Sequence, residues 1–375
     1  MNIPWIELDR YQDQDDFAGP GFPDYVWQAL FACQIGVRSH QEWVKLRWGF
    51  NAAALFDEAL ERQKLFLESQ YAIKRELGTE NPNHRTLAFR YINRPGKGLV
   101  PAIIGKIHAR TEAEAREDAL AYCRELKSTF PYDYVLEPAA SKEEFIQLSG
   151  MDILDDSNSQ LDLAQIKRFE VPIYLDQSSY ALQGFWQSGP RVHEQIWRSL
   201  AASVQPLLMN ISIRCTVLYE EDRQRLLKCA EEVSQIASHE FLSQKTLSAY
   251  KSWNEMYIER RLAPWKKFFY LQIHLASNQK IEENFFRIVG TSLAWSTDSA
   301  LPGYRVFSPK PHERPVWQRK LRNLDMIFSG SPLPVPRLAE VADMDEVFAV
   351  MRLPYSPPED GFPDVTFAGT STKQE

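Results

Sequence analysis

The nearest approach to a phosphate-binding loop in this chain is the run from Gly98 to Gly105-Lys106-Ile107. A nucleotide loop of that type needs Gly-x-x-x-x-Gly-Lys-[Ser/Thr], so that backbone N–H groups cradle phosphates and a hydroxyl holds magnesium. Here six residues separate the glycines, and Ile107 has no hydroxyl. The stretch is β-branched and apolar, and it reads as a strand fed by a tight turn at Arg94-Pro-Gly-Lys-Gly98. The seven histidines (His40, His84, His108, His193, His239, His274, His312) stand singly, without the paired spacing of a zinc site. His108 and His274 fall in strand-like runs and read as half-buried structural residues. No Gly-x-Ser-x-Gly elbow is present, and the acidic pairs Asp15-Asp16 and Asp155-Asp156 lie in polar loops. The expectation is a protein that is not an enzyme, with no cofactor, metal or catalytic residue.

Two basic stretches could do different work. Arg260, Arg261, Lys266 and Lys267 surround Trp265, and Arg319, Lys320 and Arg322 follow Trp317. Cations neutralise phosphates and a tryptophan face can stack a base, so these nine residues are candidates for a nucleic-acid contact. The competing reading is that solvated charges flank buried tryptophans. Residues 337–364 point elsewhere. They carry seven acids (Glu340, Asp343, Asp345, Glu346, Glu359, Asp360, Asp364) against Arg337 and Arg352, a net of −5. An acidic, proline-fixed segment suits docking between proteins.

Composition bounds these options. The chain has 375 residues and a net charge of −7, so a basic field could only be local. Its four cysteines (Cys33, Cys123, Cys215, Cys229) are scattered, like small buried hydrophobes in a reducing compartment. No apolar window is long enough to span a membrane, and the N-terminus lacks a signal layout. A cytoplasmic protein is expected.

The elements that must carry these residues can be placed by periodicity. Residues 1–80 read as an aromatic-rich helical region, with helices over 24–31, 41–48 and 52–75. Residues 81–150 read as an α+β unit: strands from Thr86 and Pro101, a helix capped by Thr111, and a strand around Tyr134. Residues 151–200 connect to a second α+β unit at 201–335, with strands from Leu207 and Phe268, helices over 220–238 and 240–261, and a short helix over 281–289. Residues 336–375 form a helix over 338–351 and an extended, Pro-rich C-terminal arm. The fold class is α+β, with two ferredoxin-like or related split β-α-β units.

The arm carries the most specific pattern, Val-Phe-x-x-x-Arg-Leu-Pro-x-x-Pro-Pro-x-x-Gly-x-Pro from Val347 to Pro363. With the strand–turn–strand–helix of residues 86–138, the run Ala164–Ile173 and the strand–helix–strand of 207–276, it resembles the N-terminal, non-motor half of HerA–FtsK-superfamily ATPases of the type IV secretion kind. In that family a phosphate-binding loop comes after the proline-rich segment; only residues 364–375 remain here. The resemblance therefore implies an assembly or adaptor subunit that self-assembles or docks an ATPase supplied by a separate chain, in a DNA-translocation or phage-defence setting. Arg352, Leu353, Pro354, Tyr355 and Phe362 are its expected partner contacts.

Overall fold

The computed structural model describes residues 3–11, 26–37, 52–76, 79–82, 85–155, 161–171, 181–182, 184–189, 192–236, 255, 259–263, 266–296, 303–328 and 336–354. In chain order, β1 (Glu7–Arg10) and β2 (Trp27–Val37) precede helix α1 (Ala52–Ser69). A small hairpin of β3 (Ile73–Glu76) and β4 (Thr79–Pro82) leads to the long hairpin of β5 (Thr86–Arg94) and β6 (Gly98–Ala109). Helix α2 (Glu112–Thr129), β7 (Tyr134–Pro138), α3 (Lys142–Ser149), α4 (Met151–Leu154) and β8 (Asp162–Arg168) come after it. Next are β9 (Glu170–Val171), β10 (Ala181–Leu182), β11 (Gly184–Trp186), α5 (Val192–Ala201), β12 (Leu207–Thr216) and α6 (Glu220–Ile236). The C-terminal part holds β13 (Phe268–Ser277), α7 (Glu283–Leu293), β14 (Ala294–Ser296), β15 (Tyr304–Phe307) and α8 (Arg314–Asn323). A 3-10 turn (Pro336–Glu340), β16 (Val341–Asp343) and α9 (Met344–Val350) complete it.

Ten strands make one antiparallel sheet in the order β1-β2-β6-β5-β12-β13-β8-β15, with β7 on β2 and β16 on β13. The stretches 81–150 and 201–335 meet inside it, because β5 pairs with β12 from Thr86–Arg214 to Asn93–Leu207. The span 151–200 contributes β8 to the same sheet. The chain is α+β, as its pattern predicts.

Strand alternation gives the sheet two unlike faces. One cross-strand row runs Cys33, Ile103, Phe89, Ile211, Ile273 and Ile166. All six belong to the largest apolar cluster, which includes residues of α2, α5, α7 and α9. The adjacent row runs Gln34, Ala102, Arg90, Asn210, His274 and Gln165 on the opposite face. That polar row is buried from Ala102 onward, and α3, α4 and α8 lie over this face.

Within the helix expected over 24–31, the described residues from Trp27 onward are instead the start of β2. Its residues are buried on both sides between β1, β6 and β7, and a central strand reads as a continuous apolar run without alternation. The helix expected over 41–48 lies outside the described residues. Helix α1 ends at Ser69, before β3, rather than continuing to residue 75.

The Arg94–Gly98 turn and the strand after it form as expected, with Gly96 and Gly98 at φ 77° and 73°. Gly105 is required by packing rather than by phosphate: a Cβ there would sit 2.2 Å from Cζ of Phe31. Lys106 is buried on the polar face and paired with Asp325.

Candidate functional site at the C-terminal crossing

The helix expected over 338–351 is three short elements, and their division creates a site. Strand β8 separates from β13 beyond Ile166, and β16 takes the vacated edge at Phe268–Tyr270. Val341 packs in a cluster with Met326 and Tyr270 on the polar side. Ala342 and α9 pack in the main apolar cluster on the other side. The chain thus threads from one face of the sheet to the other through the gap. The i, i+3 periodicity predicted one helix, but pairing of Val341–Asp343 with β13 wins, and Asp343 restarts the helix as N-cap of a capping box with Glu346.

Four cations from distant segments close on this crossing, and Arg337 of the crossing itself reaches out to a fifth pair. Arg168, at the end of β8, contacts Glu346 at 2.7 Å and donates to the carbonyls of Ala339 and Val341 at 2.5 and 2.9 Å. Arg261 contacts the other Glu346 oxygen at 2.5 Å and the Val341 carbonyl at 2.9 Å. Arg260 grips Asp343 in a bidentate pair, both contacts at 2.8 Å. Lys167 holds Glu340 at 2.5 Å, with the Gln165 amide donating to both its oxygens at 3.3 Å. Arg337 pairs with Asp222. Burial opposes the charge on Glu346, but Arg261, Arg168 and Arg260 outweigh it and hold the carboxyl at about 2.

Beyond α9 the chain is clasped by the apolar-face elements. The hydroxyl of Tyr91 donates to the Arg352 carbonyl at 2.5 Å and that of Tyr134 to the Pro354 carbonyl at 3.1 Å. The Leu353 N–H donates to Gln63 at 3.0 Å, and the Gln63 amide donates to Tyr134 at 3.1 Å. Arg352 stacks on Phe348 at 4.4 Å. Arg352 and Leu353, expected to face a partner, are 8% and 2% exposed, and Pro354 is buried beside them. Their contacts are internal because this is the end of the clasp. Tyr355 and Phe362 lie outside the described residues.

The basic stretches are not brought together as one surface. Arg260 and Arg261 turn into the crossing, Lys267 pairs with Glu68 at 3.2 Å, and Lys266 is half-buried. Trp265 lies outside the described residues. Trp317 is only 7% exposed and meets the ring of His274 edge-on at 6.2 Å, so its face is not a stacking platform. Near it Arg319 is exposed, Lys320 reaches the Met326 carbonyl at 3.5 Å and Arg322 reaches Asp155 at 3.4 Å. Among the described acids of residues 337–364, Asp343 and Glu346 meet Arg260 and Arg261, and Glu340 meets Lys167, all within one chain. Sequence reasoning does not single out Arg168; its only local signal is the Lys167-Arg168 pair that ends a strand.

His193 and His274 flank this region from opposite faces. Burial, then Arg352, push His193 down to about 3 against the raising effect of its bond to the Val350 carbonyl. Burial, then Lys167 and Arg90, do the same to His274. The unfolded chain takes up these protons below about pH 6.5 while the folded chain refuses them, so stability falls with pH from there toward 3. Each site is expected to cost about 2 kcal/mol between pH 6.5 and 5. Urea unfolding across that range checks it: His274→Gln should flatten the slope by about half, and an unchanged slope would refute the assignment.

Among the described residues no group of three or more His, Cys, Asp or Glu is placed to hold a metal ion, and no helix is long and apolar enough to cross a membrane. What the crossing can do chemically is fix a segment, through charge, at one point of a rigid sheet. No protein-family model and no curated protein matches the chain.

Proposed function

We propose that this chain is a non-catalytic assembly or adaptor subunit of a HerA–FtsK-type DNA-translocation or phage-defence complex, acting in the cytoplasm. It self-assembles or docks a separately encoded ATPase through its C-terminal arm. The observation that carries the reading is the clasp over residues 336–354. Buried ion pairs and three side-chain hydrogen bonds hold this segment to both faces of the sheet, so Pro354 is held at a fixed place. A segment anchored this firmly suits transmission of position between a folded body and the arm that leaves it. In this reading β5–β6–α2–β7 is one ferredoxin-related half, β12 and β13 with their helices are the other, and residues 355–375 supply the contact.

The clasp decides where to cut. Removing residues 352–375 would strip the carbonyls that Tyr91 and Tyr134 address and the Leu353 N–H that Gln63 accepts, so lost assembly could not be told from lost folding. A chain ending at Ser356 keeps them. It is expected to melt within about 2 °C of the full chain, yet to lose its oligomers or its complex with a separately encoded ATPase, as read by mass photometry. A complex that survives this truncation would sink the arm's function.

A further inference from the structure

Two of the four cysteines, ninety positions apart in sequence, meet in the core. Cys33 lies on the apolar face of β2 and Cys123 on the inner face of α2, and their sulfurs are 3.8 Å apart. Both side chains are buried, at 1% and 3% exposure. The approach is imposed by the fold: Ala115, Ala119, Tyr122, Cys123 and Leu126 form the buried stripe of α2, and β2 is fixed by pairing with β6 and β7 on its two edges. From this geometry we infer that Cys33 and Cys123 form an intramolecular dithiol that small oxidants convert to a disulfide, stapling α2 to the sheet.

Closing the bond requires the sulfurs to approach by roughly 1.8 Å, to about 2.05 Å. A helix packed on a strand can supply that by a side-chain rotation and a slight shift. The pair is chemically asymmetric. The contact with Cys33, helped by Lys127 and Arg124, lowers the Cys123 thiol against its burial, whereas contact and burial both raise Cys33. Cys123 is therefore the attacking sulfur and Cys33 keeps the proton. With hydrogen peroxide, the Cys123 thiolate takes one oxygen to become a sulfenic acid and hydroxide leaves, becoming water on protonation. The Cys33 sulfur then displaces the sulfenic oxygen as a second water, leaving the sulfur–sulfur bond. Two thiols and one peroxide become one disulfide and two waters.

The test uses the full chain, oxidised with hydrogen peroxide, alkylated under denaturing non-reducing conditions, and digested with trypsin. The expected product joins the peptides 11–38 and 117–124, two hydrogens lighter than their sum and separated by dithiothreitol. Oxidation should also raise the melting temperature, reversibly, in the wild type and not in Cys33→Ala, whose small apolar replacement leaves the core packed. Recovery of Cys33 and Cys123 only as separately alkylated or sulfinic peptides would overturn the inference. So would their pairing with Cys215 or Cys229 instead.

Discussion

Replacing Glu346 by alanine is expected to cost the fold about 3–5 kcal/mol at neutral pH. The loss has three sources. Arg168 and Arg261 keep their positions through the carbonyls of Ala339 and Val341 but lose the carboxylate between them. The backbone N–H of Asp343 loses its acceptor, undoing half of the capping box. The N–H of Trp186, which donates to Glu346 at 3.3 Å, loses its partner too. Because Glu346 is wholly buried, solvent cannot replace the charge it gives Arg168 and Arg261, and Asp343, 3.7 Å from Arg261, compensates only in part. Glu346→Gln should fall between, since an amide can still accept from Asp343 while removing the charge. The folded carboxyl titrates at about 2 and an unfolded one near 4.5, so its contribution is complete above the latter and fades as pH falls toward the former. Urea unfolding of both variants at pH 7 measures this. A loss under about 1 kcal/mol for alanine would show that the network is not what holds β16 and α9.

Five of the ten strands of the sheet, β5, β6, β7, β12 and β13, are legible in the sequence. Thr86–Arg94 and Gly98–Ala109 flank a turn whose glycines adopt positive φ, and Thr111 caps α2 with Glu114 completing its box. These signals are local, so a single sequence carries them. Strand β2 was illegible for a physical reason: a strand buried on both faces has no alternation, and Ala, Leu and Gln favour helix when nothing else is known. The crossing was half legible. Acids at 340, 343 and 346 and cations at 260 and 261 were visible as opposite charges, but charge complementarity does not say whether partners lie in one chain or two. Only the departure of β8 from β13, a tertiary event, put Arg168 beside Glu346. The same limit applied to Trp317, where flanking cations suit a stacking site and a buried indole equally well.

The second large effect is expected at Arg90, where the physics runs differently from Glu346. Its guanidinium is fully buried, burial pulls it down to about 9, and no ion pair to it is found among the described residues. Its donors go to neutral oxygens instead: Asn210 at 2.9 Å, the Ser149 carbonyl at 2.5 Å and the Leu321 carbonyl. The last two belong to the final turns of α3 and α8, so one side chain caps two helix C-termini, where unpaired carbonyls and the negative dipole end favour a cation. Arg90→Met relieves the buried charge but takes the donor from the Asn210 and Ser149 oxygens, at about 1–3 kcal/mol each, while the Leu321 carbonyl keeps the Leu324 N–H. The acceptors should win, for a net loss of about 3 kcal/mol or more. Arg90→Lys, with a single nitrogen to share among three oxygens, should recover less than half. Amide exchange separates this from a general loss of packing: the N–H groups of Gly150, Leu324 and Asp325, which close the C-terminal turns of α3 and α8, should open first. β12 and β13 should stay protected until global unfolding. Uniform opening across the sheet, or a methionine variant as stable as the wild type, would mean that the two helices are held by their apolar contacts alone.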